Sequence, residues 1–186
     1  MERVLSSARC ALFAREIANT RGSEATPCYI EDRAREICDT LEVIRGDDLL
    51  AQDMNMLHAV GRSAQSPPRM IHMKHEGAPG SDYKLAVVGK GVTFDTGGLN
   101  LKPSNFIEDM YLDKSGACVT LGLFKWIKEM NIPINISCVL ALAENAIDSK
   151  SFKPSDIITS KKGITVEIGN TDAEGRLCLG DAMTWV

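Results

Sequence analysis

One octapeptide sets the tightest condition on this chain: Asn170-Thr171-Asp172-Ala173-Glu174-Gly175-Arg176-Leu177. Read as an extended segment beyond a strand pair, it places Asp172, Glu174 and Arg176 at alternate positions. Two carboxylates and a guanidinium then project the same way, and Gly175 leaves room for close backbone approach. Carboxylates held side by side repel one another strongly unless a cation lies between them. An arginine acting as an anion receptor cannot also neutralise both. A metal ion is therefore the simplest partner for this segment; the alternative is a solvated turn with a local ion pair.

A second stretch, Val88-Gly89-Lys90-Gly91-Val92-Thr93-Phe94-Asp95-Thr96-Gly97-Gly98-Leu99-Asn100-Leu101-Lys102-Pro103, follows the apolar run Leu85 to Val88. That run reads as a buried strand entering a glycine-rich turn. Ligands of open α/β sheets sit outside the carboxyl ends of strands, where Lys90 and Asp95 are expected. The glycines do not make a phosphate loop. Neither G-x-x-x-x-G-K followed by Ser or Thr, nor G-x-G-x-x-G, can be written on the stretch, and no helix-forming run follows Gly98 directly.

Along the rest of the chain, Val4, Ala8, Ala11 and Leu12 share a helical face that ends in the turn-rich segment Asn19 to Pro27. Tyr29 to Ile44 reads as a surface helix followed by a short strand from Leu41. Asp47 or Asp48 is expected to cap a third helix carrying Leu49, Leu50, Met54 and Leu57 and stopping near Gly61. Arg69 to His75 alternates like a strand, so His72 and His75, three apart, point to opposite faces and make a poor metal pair. A helix from Gly116 with Val119, Leu123, Trp126, Ile127 and Met130 on one face is expected next, with Asp113 at its mouth and Asp109 solvated or capping. Ile132 to Ala143 reads as a central parallel strand, completing a βαβ unit. Ile157 to Ser160 and Ile164 to Ile168 form a hairpin that delivers the chain to Asn170, and a helix begins at Arg176. The fold class is α/β: a mixed, mainly parallel central sheet with helices on both faces.

With 186 residues, one ordinary domain is the default, and its net charge of -4 gives no reason to expect nucleic acid. The cysteines Cys10, Cys28, Cys38, Cys118, Cys138 and Cys178 are scattered without a C-x-x-C pair, which favours reduced thiols in a cytoplasmic setting. No apolar run approaches the ~18 residues a membrane span needs. Met1 to Arg15, with arginines, serines and one early acid, reads either as a transit peptide or as a helix.

Lys90, Asp95, Asp113, Asp172 and Glu174 resemble, residue for residue and in spacing, the metal-ligand set of the leucyl aminopeptidase (M17) family of metallopeptidases. NTDAEGRL resembles that family's signature, and VGKGVTFDTGGLNLKP its other long motif. The resemblance runs from about Leu12 onward, through Ala59-Val60-Gly61-Arg62-Ser63, Pro67-Pro68, Glu144-Asn145 and Lys153-Pro154-Ser155-Asp156. It implies a helix and turn over residues 1–27 and a partial catalytic domain over residues 28–186. Family members also carry a separate N-terminal domain and a further third of the catalytic domain after the signature, so an excerpt or a truncated homologue is expected.

The resemblance also implies chemistry. Asp95 and Glu174 would bridge two divalent ions, Asp172 would complete one and Lys90 with Asp113 the other. Carboxylates and one amine suit Zn²⁺, Mn²⁺, Mg²⁺ or Co²⁺ without choosing among them. Lys90 ligates only as the neutral amine, so it must lose its proton. Lys102 would steady the carbonyl oxygen as it becomes an oxyanion, and Arg176 would hold a bicarbonate acting as general base. Met110 is placed in the pocket for the first side chain of the substrate. The implied activity is removal of N-terminal, leucine-like residues from peptides by a homo-oligomer, hexameric in family members. The alternative is an inactive structural homologue. Lys114, following Asp113, departs from the small or apolar residue usual there, and competes for the carboxylate only if it points inward.

Overall fold

The apolar, β-branched run predicted as a central strand is the innermost element of the chain. Every residue from Cys138 to Ala143 is buried, and the strand spans Asn135–Asn145. The computed structural model describes all residues from Met1 to Val186. In order, the elements are helices α1 (Glu2–Asn19) and α2 (Pro27–Arg35), strand β1 (Glu42–Arg45), a 3-10 segment (Gly46–Gln52), α3 (Asn55–Gly61), β2 (Arg69–Glu76) and β3 (Leu85–Asp95). Then come α4 (Ser104–Ile107), a 3-10 turn (Met110–Leu112), α5 (Ser115–Glu129), β4 (Asn135–Asn145), the hairpin β5 (Ile157–Thr159) and β6 (Thr165–Glu167), a second 3-10 turn (Thr171–Ala173) and α6 (Glu174–Trp185).

The sheet is mixed, with strand order β1-β2-β4-β3. Parallel pairing is confined to β3 and β4, while β1 with β2 and β2 with β4 are antiparallel. The expected parallel majority is corrected by the connections. Only β3 and β4 are joined through a crossover helix, α5, and parallel neighbours need such a crossover. The short segment between β2 and β3 reverses the chain instead, which leaves β2 antiparallel to β4.

Alternation along the strands divides the core in two. Cys138, Leu140 and Leu142, with Ile71 and Met73, meet α1, α2 and α5 through Ile17, Ile30, Ala34, Leu121 and Phe124. Val139, Ala141 and Ala143, with Met70 and Val92, meet Leu49, Leu57 and Val60 and, from α6, Cys178 and Ala182. Helices therefore cover both faces, as expected.

Three local expectations are corrected. Strand β3 does not stop at Val88 but runs through the glycines to Asp95. Those glycines serve packing: a Cβ on Gly89 would lie 2.7 Å from the Ala117 Cα, and one on Gly91 2.3 Å from the Leu142 Cδ2. The helix expected over residues 47–61 breaks at Asp53, whose φ of 57° is left-handed, into the 3-10 segment and α3. Helix α5 buries Ala117, Cys118, Leu121, Phe124 and Ile127, whereas Val119 is 64% exposed. The face is set by the close approach of α1, since a Cβ on Gly122 would lie 2.9 Å from the Cys10 carbonyl oxygen, and the largest side chains do not decide it.

His72 contacts the Ser137 hydroxyl and His75 the Ile132 carbonyl, in line with a structural role for both. Beside β2, the buried Glu31 carboxylate is held by Arg35 and Arg69, each at 2.7 Å, and by Arg45. Burial alone would push this carboxyl up, but hydrogen bonds from Arg45, Arg35 and Arg69 outweigh it and hold the pKa at about 2. A depressed acid stabilises the fold above its unfolded pKa, near 4.5, and that contribution is lost as the pH falls toward 2. Glu31→Gln leaves the buried Arg69 charge uncompensated and is expected to cost about 3 kcal/mol at pH 7. Urea midpoints measured from pH 7 to pH 3 should converge for the two proteins as the pH drops; a constant gap would contradict this assignment.

Candidate metal centre

The octapeptide is not extended. Asn170 accepts the Asp172 N–H at 2.8 Å, Thr171–Ala173 forms a 3-10 turn, and α6 begins at Glu174. Asp172 and Glu174 still converge, because a tight turn followed by the first helical residue brings them to one side. Arg176 does not follow them. It lies a further half-turn along α6, exposed, with no hydrogen bond or ion pair, which corrects the expectation that all three share a face.

Asp95 ends β3 just after the pairing register with β4 shifts between Val92 and Asp95. Its Oδ1 accepts the Gly97 N–H at 2.9 Å and the Asn145 Nδ2–H at 2.8 Å, so one oxygen is fixed and the other, Oδ2, is left for the site. The Asn145 amide also donates to the Thr171 carbonyl at 3.1 Å. Thr171 in turn donates its hydroxyl to the Gly97 carbonyl at 2.6 Å and accepts the Asn100 N–H at 2.8 Å. The two motifs are thereby stitched together through main-chain groups. Gly97, at φ +87°, allows this closeness, since a Cβ there would lie 3.1 Å from the Asp172 Oδ1.

Carboxylate oxygens of Asp95, Asp172 and Glu174 come together within 4.8 Å of one another. Two lysines reach them. Lys102 Nζ lies 3.0 Å from Asp95 and 2.5 Å from Asp172, and Lys90 Nζ lies 2.7 Å from Asp113 and 2.8 Å from Glu174. Six of the predicted residues are thus brought into one cluster. Met110 stands half-buried at the start of the 3-10 turn that leads to Asp113.

Burial raises the carboxyl pKa of Glu174 and of Asp113, with Lys90 pulling the other way in each case. Burial also opposes the charge on both lysines, yet the paired carboxylates outweigh it and hold Lys90 and Lys102 above their ordinary range. The cluster nevertheless has unused acceptors: Glu174 Oε2 is buried without any partner. A buried carboxylate oxygen with no donor is costly to leave, and a hard oxygen-rich set with one amine fits a divalent cation. Gly175 makes the room for Lys90, since a Cβ there would lie 2.7 Å from its Cε and 2.8 Å from its Nζ.

Sequence reasoning gave no role to Asn145, although it stands opposite Asp95 in the strand register. It also passed over Asp181, which is fully buried and caps α3 by accepting the Met56 and Leu57 N–H groups at 2.9 and 3.0 Å. A lone carboxylate in an amphipathic helix carries no signal of such a remote contact. Lys114 points away from the cluster and does not compete for Asp113.

Residues 12–186 match the cytosol aminopeptidase family, catalytic domain. The chain belongs to this family. It is 41% identical over 177 residues to a probable cytosol aminopeptidase of Persephonella marina, covering 93% of this chain and 35% of that protein. Among solved structures, the leucyl aminopeptidase of Trypanosoma brucei in complex with bestatin superposes with a TM-score of 0.94 at 33% identity, over 97% of this chain and 36% of that one. The leucine aminopeptidase of Caenorhabditis elegans gives 0.95 at 32% identity, over 98% and 38%. The bottromycin maturation enzyme BotP in complex with Mn gives 0.92 at 33% identity, over 99% and 41%. The chain spans a little over a third of the length of the curated relatives it matches.

Two glycine substitutions separate site from scaffold. Gly175→Ala meets only the flexible end of Lys90 and gains helix propensity, so thermal stability should stay within about 1 kcal/mol while bound Mn²⁺ per chain falls. Gly89→Ala meets the α5 backbone and should destabilise by about 2 kcal/mol. Melting curves and metal analysis of both variants decide; a Gly175→Ala protein with full metal content would contradict the placement of Lys90.

Proposed function

We propose that the protein of which this chain forms the metal-binding portion is a dinuclear metallo-aminopeptidase that removes N-terminal residues, leucine-like ones foremost, from peptides. The observation that carries the reading is the convergence of Asp95, Asp172 and Glu174 on one point with two lysines and a fourth carboxylate around them. Asp95 and Glu174 would be shared between the two ions, Asp172 would hold one of them, and Lys90 with Asp113 would hold the other. Zn²⁺ and Mn²⁺ head the list, with Mg²⁺ and Co²⁺ also suited. Bound ions supply Lewis acidity, polarising the peptide carbonyl and acidifying water.

The chain's own residues do the rest. Lys90 must surrender its proton to ligate, and with Asp113 and Glu174 favouring its charge the ammonium form competes with the metal as the pH falls. Lys102 sits across Asp95 and Asp172 and, once those carboxylates are engaged, is a cation free to hold the developing oxyanion. Arg176, exposed and unpaired, is available to bind a bicarbonate that would take the proton from water. Met110 lines the pocket for the first side chain. Residues 28–186 form the catalytic portion, led in by the helix and turn of residues 1–27. A cytoplasmic homo-oligomer, hexameric by analogy with the family, is the expected assembly. No helix is long and apolar enough to cross a membrane.

A second reading is a non-catalytic homologue that keeps the motifs as scaffold, and the isolation of Arg176 is the feature that favours it. Leucine-amide hydrolysis by the full-length protein with Mn²⁺ separates the two. Asp95→Ala should lose bound metal and activity together, and Lys102→Met should lower kcat by about 10²- to 10³-fold with little change in KM and full metal content. A metal-replete protein that releases no leucine would contradict the enzymatic reading.

A further inference from the structure

Lys114 has no part in the chemistry above, yet it is among the most deeply buried residues of the chain. Its Nζ lies 3.2 Å from the carbonyl oxygen of Ala18, 2.8 Å from that of Thr20 and 2.5 Å from that of Tyr111. An ammonium carries three N–H donors, and three main-chain carbonyls take one each, with no carboxylate among them. Two of these carbonyls close α1, where the last C=O groups lack intrahelical partners and the helix end is negative. The third belongs to the turn Met110–Leu112. Lys114 itself stands at the N-cap of α5 and directly follows Asp113. One ammonium therefore ties together the end of α1, the turn that bears Met110 and the start of α5, and Asp113 lies between the last two.

We propose that Lys114 is a positioning residue: its ammonium, seated among three main-chain carbonyls, fixes the turn from which Asp113 meets Lys90. Without it three half-buried carbonyls face one another with no donor between them. The turn would then rest on its local bonds, Leu112 N–H to Asp109 at 3.0 Å, Asp113 N–H to Met110 at 3.3 Å and the Ser115 hydroxyl to Leu112 at 2.5 Å, and on the Arg21 guanidinium stacked 4.0 Å from the Tyr111 ring centre. The Asp113 carboxylate, 2.7 Å from Lys90, would drift. In sequence Lys114 competes for that carboxylate only if it points inward; it points the other way, and its contacts make it a support. The consequence for metal binding rests on the dinuclear reading, whereas the fixing of the turn does not.

The test uses the full-length protein. Lys114→Ala removes the side chain beyond Cβ, and propylammonium matches the missing atoms in length and charge. The variant should bind one of its two Mn²⁺ ions about 10- to 100-fold more weakly, the size usual for residues that orient a metal ligand, while the other ion is unaffected. Amide exchange at Leu112 and Asp113 should lose protection. Propylammonium, but not propanol, should restore both. Lys114→Met keeps the stem without the donors and should show the same two losses without rescue, which carries the test if the alanine variant fails to fold. Unchanged Mn²⁺ affinity beside a lowered melting temperature would reduce Lys114 to a clamp on α1 and overturn the proposal. Should the wild-type protein bind no pair of ions, the dinuclear reading fails and the exchange measurement decides alone: lost protection that propylammonium restores supports the fixed turn, and unchanged protection refutes it.

Discussion

The mutual repulsion of Asp95, Asp172 and Glu174 is the constraint on which the rest of the arrangement depends. Three carboxylates drawn within 4.8 Å of one another, two of them in buried residues, are stable only if positive charge lies among them. Lys90 and Lys102 supply it, each spanning a pair of carboxylates. On the dinuclear reading proposed above, bound ions would take over that role. Lys90 would then change from counter-ion to ligand, and Lys102 from counter-ion to free cation beside the substrate.

Holding the acids together demands rigidity behind them, and the fold provides it with hydrogen bonds from uncharged side chains and main-chain groups. Asn145 grips Asp95 and the Thr171 carbonyl at once, and Thr171 is bonded to both sides of the Gly97–Asn100 loop. Asn145, at the end of a strand buried on both faces, is itself buried and held by its bonds to Asp95 and Thr171. Glycines at 89 and 91 let α5 lie close on β3, which brings Asp113 beside Lys90, and Gly175 lets Lys90 pass α6 to reach Glu174.

How far the sequence discloses this varies with the kind of signal. The cluster residues other than Asp113 are legible because they sit in two motifs of fixed spacing, and the central strand because Cys138 to Ala143 is apolar on both sides. The route to the cluster was not. Alternation suggested that Asp172, Glu174 and Arg176 share a face, whereas a capped 3-10 turn brings the two acids together and leaves Arg176 in solvent. Large apolar residues point to the wrong face of α5, because the buried face is set by Gly122, whose missing side chain admits α1. Asp181 acts through partners distant in sequence, and Glu31 and Lys114 do so in part, through Arg45 and Arg69 and through Ala18 and Thr20, which no local pattern announces. A buried lysine satisfied by three carbonyls leaves no pattern of charge to find.

The claim that two cations share Asp95 and Glu174 is tested most directly by electron paramagnetic resonance of the full-length protein titrated with Mn²⁺. The account predicts a spectrum of an exchange-coupled ion pair at saturation, lost when Asp95 is replaced by alanine. A saturated spectrum showing only the sextet of isolated Mn²⁺, unaltered by that substitution, would contradict it.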